Sequence, residues 1–478
     1  MSEGARIRKN SFFALSSQLI RLLTNFLLFV GIARYYGEEA FGQFTTAHTL
    51  SAVFLLFADF GFDMLLPTEI SRNRHAAAAM ARKYFSFKIL FALLATVGMM
   101  ALPLAQAMSP STRTLVEIFS FYVLLSSLNN FFFALFKGFE EFQHETRISL
   151  AVNVVLLTLL VVLGIVHAPL YVIALAFVGT RLIGIVSCFS IAKRLLGGFS
   201  WRFSTEGWGE VWRHVVVFGL QFVFGNLFFQ LDTILLAFLR GDRDVGVYQA
   251  VFKLVILTLV IPDILVNTMA PVLSRLHSQD RETWNRVGRL LNKTLSLLAL
   301  PIALVLFIFP DQLVNLIYGP TAFRQSIPIL RIFACTILIR FEVEAYALTL
   351  TTSHRQASRL MVVIIGTLTN IALNVFAIPA YGPIGAAFVS LFTNLLVGIG
   401  YVVTSKQSVL EWTFNPRILV VSGFGLCAAA GLWQVRNISM FYTVPVLVAF
   451  YGGLLYFVGF TRDEWSLFLT GKRRSSLV

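Results

Sequence analysis

Three arginines, Arg21, Arg181 and Arg340, lie near the middle of long apolar segments. A charge at the centre of a lipid bilayer costs about 2.5–3.5 kcal/mol by insertion scales, so each arginine must face a water-filled cavity or an acidic partner. A guanidinium group is a rigid fork of donors that can give two parallel hydrogen bonds to phosphate oxygens while compensating their charge. These three arginines are therefore predicted to bind an anionic group.

The polar neighbours of Arg21 share one helix face. Ser17 and Asn25 each lie four residues from Arg21, and Gln18 and Thr24 widen the same stripe. One face of this helix is then polar, and the other is compatible with lipid. Gln18 and Asn25 are predicted to contact the ligand beside the arginine. The alternative is that the stripe makes hydrogen bonds to neighbouring helices.

Four acids inside apolar segments are predicted to couple or gate a movement: Asp59, Asp63, Asp263 and Glu344. Asp59 and Asp63 are one turn apart and face the same way. A buried carboxylate can bind a proton or a sodium ion in one conformational state and release it in another. Pairing with the cavity arginines, or locking helices together as a gate, are alternatives. Arg340 and Glu344, four residues apart, can also pair within one helix.

Two further bases, Lys88 and Arg331, lie within about two turns of a predicted helix end. A long side chain at that depth can extend to the membrane interface. We expect both to do so, which leaves them outside the predicted site.

The elements that position these residues follow from composition. Of the 478 residues, 57% are apolar and 13% are charged, whereas soluble domains have about 45–50% apolar and about 25% charged residues. The chain is therefore predicted to be all-α and embedded in a membrane almost throughout. A spanning helix needs about 20 mainly apolar residues. Fourteen such runs are predicted at 12–35, 43–66, 84–107, 114–136, 148–167, 170–192, 214–239, 246–271, 294–317, 325–351, 360–379, 383–405, 416–434 and 441–460.

Positive charge is distributed unevenly between the connecting segments. With the N-terminus inside, 26 of the 38 lysines and arginines fall on the cytoplasmic side, six on the opposite side and six within the spans. Because cytoplasmic loops retain Lys and Arg, both termini are predicted to be cytoplasmic, in a multi-pass protein of the inner (cytoplasmic) membrane. This topology accounts for the net charge of +14, which therefore does not indicate a nucleic-acid partner.

An internal repeat divides the chain. Shifting the sequence by 204 residues superimposes Gly37 on Gly241, Gly42 on Gly246, Asp59 on Asp263 and Pro67 on Pro271. A repeat of six helices returns the chain to its starting side, so the halves are predicted to be two six-helix bundles related by a pseudo-two-fold axis along the membrane normal. The predicted domains are residues 1–197 (helices 1–6), 198–410 (helices 7–12) and 411–478 (helices 13–14 and a basic tail).

The motif of the first hairpin is Tyr36-Gly37-Glu38-Glu39-Ala40-Phe41-Gly42-Gln43-Phe44, followed by Ala58-Asp59-Phe60-Gly61-Phe62. It resembles the polysaccharide (O-antigen type) flippases of the multidrug/oligosaccharidyl-lipid/polysaccharide exporter superfamily. The resemblance implies a V-shaped pair of bundles that alternate access. It implies transport of a polyprenyl-pyrophosphate-linked glycan from the cytoplasmic to the outer leaflet, in the synthesis of lipopolysaccharide, O-antigen or exopolysaccharide.

Several alternatives to this function stay open. Fourteen helices also occur among peptidoglycan-precursor flippases of the same superfamily. An ion-coupled multidrug exporter needs an acidic cavity, whereas arginines occupy the midplane here. A membrane glycan polymerase or ligase would need catalytic residues on a long outer loop, and the outer loops are short. A scaffold role would leave the midplane arginines without a purpose.

No cofactor is predicted, and the chain is predicted not to be an enzyme. The three cysteines, Cys188, Cys335 and Cys427, are scattered through apolar runs without metal-ligand spacing. A Gly-x-x-x-x-Gly-Lys-[Ser/Thr] phosphate loop is absent from the sequence, so no nucleotide partner is expected. The predicted partners are the lipid-linked glycan, the lipid bilayer and, as candidates, a glycan polymerase and glycosyltransferases.

Overall fold

A computed structural model describes residues 3–197, 208–405, 416–434, 436–461 and 464. Within these ranges the chain is helical and contains no β-strand. It divides into two compact units, Met1–Gln249 and Ala250–Val478. The predicted domain boundaries at 197/198 and 410/411 fall at the edge of, or within, segments outside the described residues, and the domain division stays a prediction.

The helices of the first unit are α1 (Glu3–Asp59), α2 (Phe62–Arg72), α3 (Ala77–Ala105), α4 (Pro110–Gly138), α5 (Phe142–Ile165), α6 (Leu170–Leu195), α7 (Trp208–Leu227), α8 (Leu231–Leu239) and the start of α9 (Asp242–Gln279). The second unit contains the rest of α9, α10 (Arg281–Ile308), α11 (Pro310–Tyr318), α12 (Ser326–Thr352), α13 (Gln356–Ser405), α14 (Pro416–Gln434) and α15 (Met440–Leu454).

These helices account for all fourteen predicted spans. Ten helical stretches of the described chain are long and apolar enough to cross a membrane. Both α1 and α13 contain two predicted spans, separated by kinks at Gly37 (φ 80°) and Gly382 (φ 58°). The two remaining spans correspond to α7 with α8, and to α12, which carries four charged side chains. The prediction of an all-α, polytopic membrane fold is confirmed.

Helix α4 is the centre of the first unit, because it packs against α1, α2, α3 and α6. Five of its phenylalanines are buried, namely Phe119, Phe131, Phe132, Phe133 and Phe136. In the second unit α12 has the corresponding role, packing against α10 and α13. The outward faces of α5 and α6 instead expose aliphatic side chains such as Val161 and Val186. An extended apolar surface of this kind is compatible with contact with lipid.

The repeat is visible in the backbone at its glycines. Gly37 and its repeat mate Gly241 both have positive φ, 80° and 96°, a conformation that glycine adopts without steric cost. One turn later the mates Gly42 and Gly246 lie where two helices cross. A methyl group on Gly42 would be 1.7 Å from the backbone oxygen of Asp242, and one on Gly246 would be 2.1 Å from that of Glu38.

This crossing is reciprocal, because Asp242 is itself the repeat mate of Glu38. Residue 42 meets residue 242, and residue 246 meets residue 38, which is the pattern that a local two-fold relation requires. The rest of the crossing is polar. Asp242 accepts hydrogen bonds from the hydroxyls of Ser109 (3.0 Å) and Thr112 (2.7 Å).

Gly42→Ala is expected to destabilise the protein by about 1–3 kcal/mol or more, because the added methyl group overlaps a backbone oxygen that cannot rotate away. Thermal unfolding of the purified protein in detergent measures the effect. Gly31→Ala is the matched control, since it lies on the same helix and a methyl group there has no neighbour within 4 Å. Equal melting temperatures for the two variants would contradict the close crossing.

Candidate functional site

A polar cavity of about 270 Å³ lies within the first unit, between helices that are otherwise apolar. Three bases and two acids line it, together with a phenol, a hydroxyl pair and amide groups. Its polar lining residues are Arg21, Asn25, Asp63, Tyr122, Ser126, Asn129, Asn130, Lys137, Glu145, Ser149 and Arg181. The cavity therefore offers donors for an anion and for hydroxyl groups in the same space.

Two of the bases converge on one acid. Arg21 donates from Nη1 to Oε1 of Glu145 at 2.8 Å, and Nζ of Lys137 is 3.3 Å from Oε2 of the same carboxylate. The Glu145 side chain is only 5% exposed, whereas those of Arg21 and Lys137 are 39% and 37% exposed. The acid is thus buried in the wall, and both bases reach into the open space.

The third base, Arg181, is held by an aromatic ring. Its Nη2 donates to the hydroxyl of Tyr122 at 3.2 Å, and the guanidinium carbon is 5.1 Å from the ring centre, within the range of a cation–π interaction. The backbone oxygen of Arg181 accepts from Nδ2 of Asn129 at 2.9 Å. The buried Nε of Arg181 has no hydrogen-bond partner within the described ranges.

The predicted site residues are therefore distributed unequally. Arg21, Asn25, Arg181 and Asp63 lie together in the cavity. Gln18 is exposed and is not part of the lining, and the side chain of Ser17 lies outside what the structure describes. Their roles stay predictions.

Behind the cavity wall, Asp59 belongs to a buried ion-pair network. Lys88 forms an ion pair with Asp59 and lies 3.6 Å from Asp63. Ser127 donates to Oδ1 of Asp59 at 2.9 Å, and Asn130 donates to Oδ2 at 2.8 Å. The side chains of Lys88 and Asp59 are 0% and 4% exposed, whereas Asp63 is 27% exposed. Of the two acids, Asp59 and Asp63, only Asp63 is therefore open to the cavity.

The expectation that Lys88 extends to the membrane interface is wrong. Helix α3 begins at Ala77, seven residues before the start of the predicted span. Lys88 therefore lies three turns inside the helix and is fully buried. At this depth an acidic partner is needed, and Asp59 provides it.

Arg340, Glu344 and Asp263 form a separate cluster in the second unit. Arg340 donates from Nη2 to Glu344 at 3.3 Å, as their spacing predicted, and from Nη1 to Oδ1 of Asn394 at 3.2 Å. Asp263 lies within electrostatic range of both charges. Arg331, the other base expected near an interface, is 34% exposed and pairs with Asp311 at 3.1 Å.

The residues that engage the cavity arginines, Tyr122 and Glu145, and the third base, Lys137, were not predicted as site residues from the sequence. Lys137 is in the last turn of α4 and Glu145 is in the first turn of α5, so charge counting assigned both to a cytoplasmic loop. The contact of Glu145 with Arg21 joins residues 124 positions apart. A single sequence carries no signal for a contact at that separation.

Lys88→Met is expected to destabilise the protein by about 3–5 kcal/mol, because it leaves Asp59 buried and charged without its counter-ion. The double variant Lys88→Met/Asp59→Asn removes both charges and is expected to recover most of that loss. Denaturation of the purified protein in detergent measures both.

Arg113→Met is the control for this comparison. Arg113 pairs with Glu117 at 3.0 Å, but both side chains are about half exposed, and such pairs contribute about 0–1 kcal/mol. A Lys88→Met protein as stable as the Arg113→Met protein would show that the buried pair is not needed for stability.

Comparisons with known proteins agree on the family and the fold. The sequence profile described as "Polysaccharide biosynthesis protein" matches residues 7–277, and the profile described as MatE matches residues 218–376. A curated relative, "Probable flippase AglR" of Haloferax volcanii, is 30% identical over 178 residues, 35% of this chain and 36% of the relative. The match thus spans about a third of that relative's length.

Solved structures of transporters share the fold. "Lipid II flippase MurJ, inward closed conformation" aligns with a TM-score of 0.75 at 14% identity, over 96% of this chain and 98% of the other. An inward-facing multidrug resistance MATE family transporter of the MOP superfamily aligns with a TM-score of 0.67 at 14% identity, over 82% and 95%. At these identities the likeness is one of fold. Because the first profile covers more than half of the sequence, the chain belongs to the polysaccharide biosynthesis protein family, as the motif of its first hairpin predicted.

Proposed function

We propose that this protein is a flippase that moves a polyprenyl-pyrophosphate-linked oligosaccharide from the cytoplasmic to the outer leaflet. The observation that carries the proposal is the cavity of the first unit. It brings Arg21, Lys137 and Arg181 together inside a membrane-embedded helical fold. A charged head group that crosses the bilayer needs such a polar cavity, because a charge is unfavourable in the hydrocarbon interior.

The cavity lining fits the two parts of such a head group. Guanidinium and ammonium groups bind phosphate oxygens through charge-assisted hydrogen bonds. The amides of Asn25 and Asn130 and the hydroxyl of Ser149 suit sugar hydroxyls, which both donate and accept. The lining favours an anion over the cationic drugs of a multidrug exporter, because its bases outnumber its acids.

We propose that the acids couple or gate the movement. Asp63 is open to the cavity and shares Lys88 with Asp59. A proton or a cation on Asp63 would therefore reduce the negative charge that Lys88 compensates. In the second unit, Asp263 and Glu344 both interact electrostatically with Arg340. These two acids are proposed as a second place where a proton or a cation binds. Arg340 is proposed as a further head-group contact once its acidic neighbour is neutralised.

The membrane potential is the proposed driving force. Moving one elementary charge across 100 mV releases about 2.3 kcal/mol. A pyrophosphate of about two negative charges that leaves an inside-negative cytoplasm would therefore gain about 4–5 kcal/mol. This gain requires no nucleotide hydrolysis. The gain depends on the inner-membrane location and the cytoplasmic termini that are proposed from the charge distribution. It also depends on glycosyltransferases that supply the substrate on the cytoplasmic side.

Arg21→Gln and Arg181→Gln are each expected to reduce glycan export by about tenfold or more. Each loses one charge-assisted contact, worth about 1.5–3 kcal/mol, where about 1.4 kcal/mol is a factor of ten. The measurement is the leaflet on which the lipid-linked glycan accumulates in cells that carry each variant in place of the wild-type gene.

Arg113→Gln is the control, because Arg113 is exposed and lies outside the cavity. A defect in glycan chain length with normal transbilayer movement would indicate a polymerase or ligase instead. Normal export by both cavity variants at wild-type protein levels would reject the proposed head-group site.

A further inference from the structure

The carboxylate of Glu145 accepts the same kind of charge-assisted hydrogen bond as the phosphate that the cavity is proposed to bind. It accepts from Arg21 and is paired with Lys137, so one buried acid engages two of the three cavity bases. Phosphate and carboxylate oxygens compete for such donors, since both form short charge-assisted hydrogen bonds with them. Glu145 thus already engages two of the donors that a ligand phosphate in the cavity would need.

The position of Glu145 is fixed by the fold. It lies in the first turn of α5, between Arg21 on α1 and Lys137 at the end of α4. The next residue, Thr146, donates from its hydroxyl to the backbone oxygen of Phe13 at 2.8 Å, which ties the start of α5 to α1. The acid is therefore held in the wall, while its two partners have long, half-exposed side chains that can turn towards the open space.

The charge of the cavity changes when Glu145 is counted. The lining contains the bases Arg21, Lys137 and Arg181 and the acids Asp63 and Glu145. Glu145 reduces the attraction of the cavity for an anion. Its carboxylate is 5% exposed, and an uncompensated buried charge is strongly unfavourable, so the two bases stay paired with it while the cavity is empty.

We infer that Glu145 is an internal competitor for the substrate phosphate. When the head group enters, Arg21 and Lys137 turn from the carboxylate to phosphate oxygens, and the loss of counter-ions by the buried Glu145 carboxylate offsets part of the binding free energy. When the head group leaves, Arg21 and Lys137 pair with Glu145 again, and this pairing favours release. Glu145 is a positioning residue that limits affinity and thereby permits turnover. This inference rests on the proposed function.

The test is binding of farnesyl pyrophosphate to the full-length protein in detergent, measured by titration calorimetry. Glu145→Gln keeps the shape of the side chain and removes its charge, so the pyrophosphate is expected to bind with a Kd lower by about tenfold, equivalent to about 1.4 kcal/mol. Transport in reconstituted vesicles is expected to fall at the same time, because release becomes slower. A purely structural role for Glu145 would leave the affinity unchanged or lower it.

Glu117→Gln is the matched control. Glu117 also pairs with an arginine, Arg113 at 3.0 Å, but it is 43% exposed and is not part of the cavity lining. The same gain in affinity in both variants would attribute the effect to overall charge and overturn the inference. A third variant, Arg21→Gln/Glu145→Gln, is expected to lose most of the gain, because the gain acts through the released arginine.

Failure of the inference and failure of the proposed function give different results. If the wild-type protein does not bind farnesyl pyrophosphate, the proposed function falls and this inference falls with it. If the wild type binds but Glu145→Gln does not bind more tightly, only the competitor role is overturned. Should Glu145→Gln not fold, Glu145→Asp shortens the side chain and weakens its contact with Arg21. Its affinity is then expected to lie above that of the wild type, and an equal or lower value would contradict the inference.

Discussion

The cost of placing a charge in an apolar interior determines how the polar residues of this protein are arranged. Each charged group inside the spans needs water or an opposite charge nearby, and the described residues show several ways of meeting that need. Lys88 and Asp59 pair in full burial. Arg21 and Lys137 share Glu145 at the edge of a cavity. Because these pairs link separate helices, the same interactions that solve the electrostatic problem also determine which helix faces meet.

The glycine positions of the repeat serve two different constraints, a positive φ angle and the close approach of backbones. Gly37 and Gly241 take a backbone conformation that favours glycine, and Gly42 and Gly246 lie where a side chain would overlap a backbone oxygen. The contact is reciprocal between repeat mates, which explains why the glycines are matched at a constant offset of 204 residues while most apolar residues are not. Apolar positions require only hydrophobicity and volume, whereas these four positions require the absence of a side chain.

The sequence was sufficient to predict the helices and part of the cavity. Hydropathy identified the spans because crossing a bilayer constrains twenty residues at once, and helical periodicity placed Arg21 and Asn25 on one face. The partners were not predictable in the same way. Lys88 was misjudged because α3 begins earlier than hydropathy indicates, and Glu145 was counted as a loop acid although its carboxylate meets Arg21 from 124 residues away. Periodicity is local, whereas the choice of an ionic partner depends on how distant helices pack.

The exposed fraction of the side chains in each ion pair distinguishes permanent contacts from contacts that can be exchanged. Lys88 and Asp59 have 0% and 4% of their side chains exposed, so neither can change partners without leaving a buried charge alone, and the pair is suited to hold α1 and α3 together. Arg21 and Lys137 are more than a third exposed, so their charges can pass from the carboxylate of Glu145 to another anion, and the cost of that exchange falls on the buried carboxylate. A transporter needs both kinds of contact, since its helices must stay assembled while its ligand binds and leaves. In the first unit, Asp63 links the permanent and the exchangeable contacts, because it lies 3.6 Å from Lys88 and also lines the cavity. A change at Asp63 can therefore affect the permanent network and the exchangeable site together.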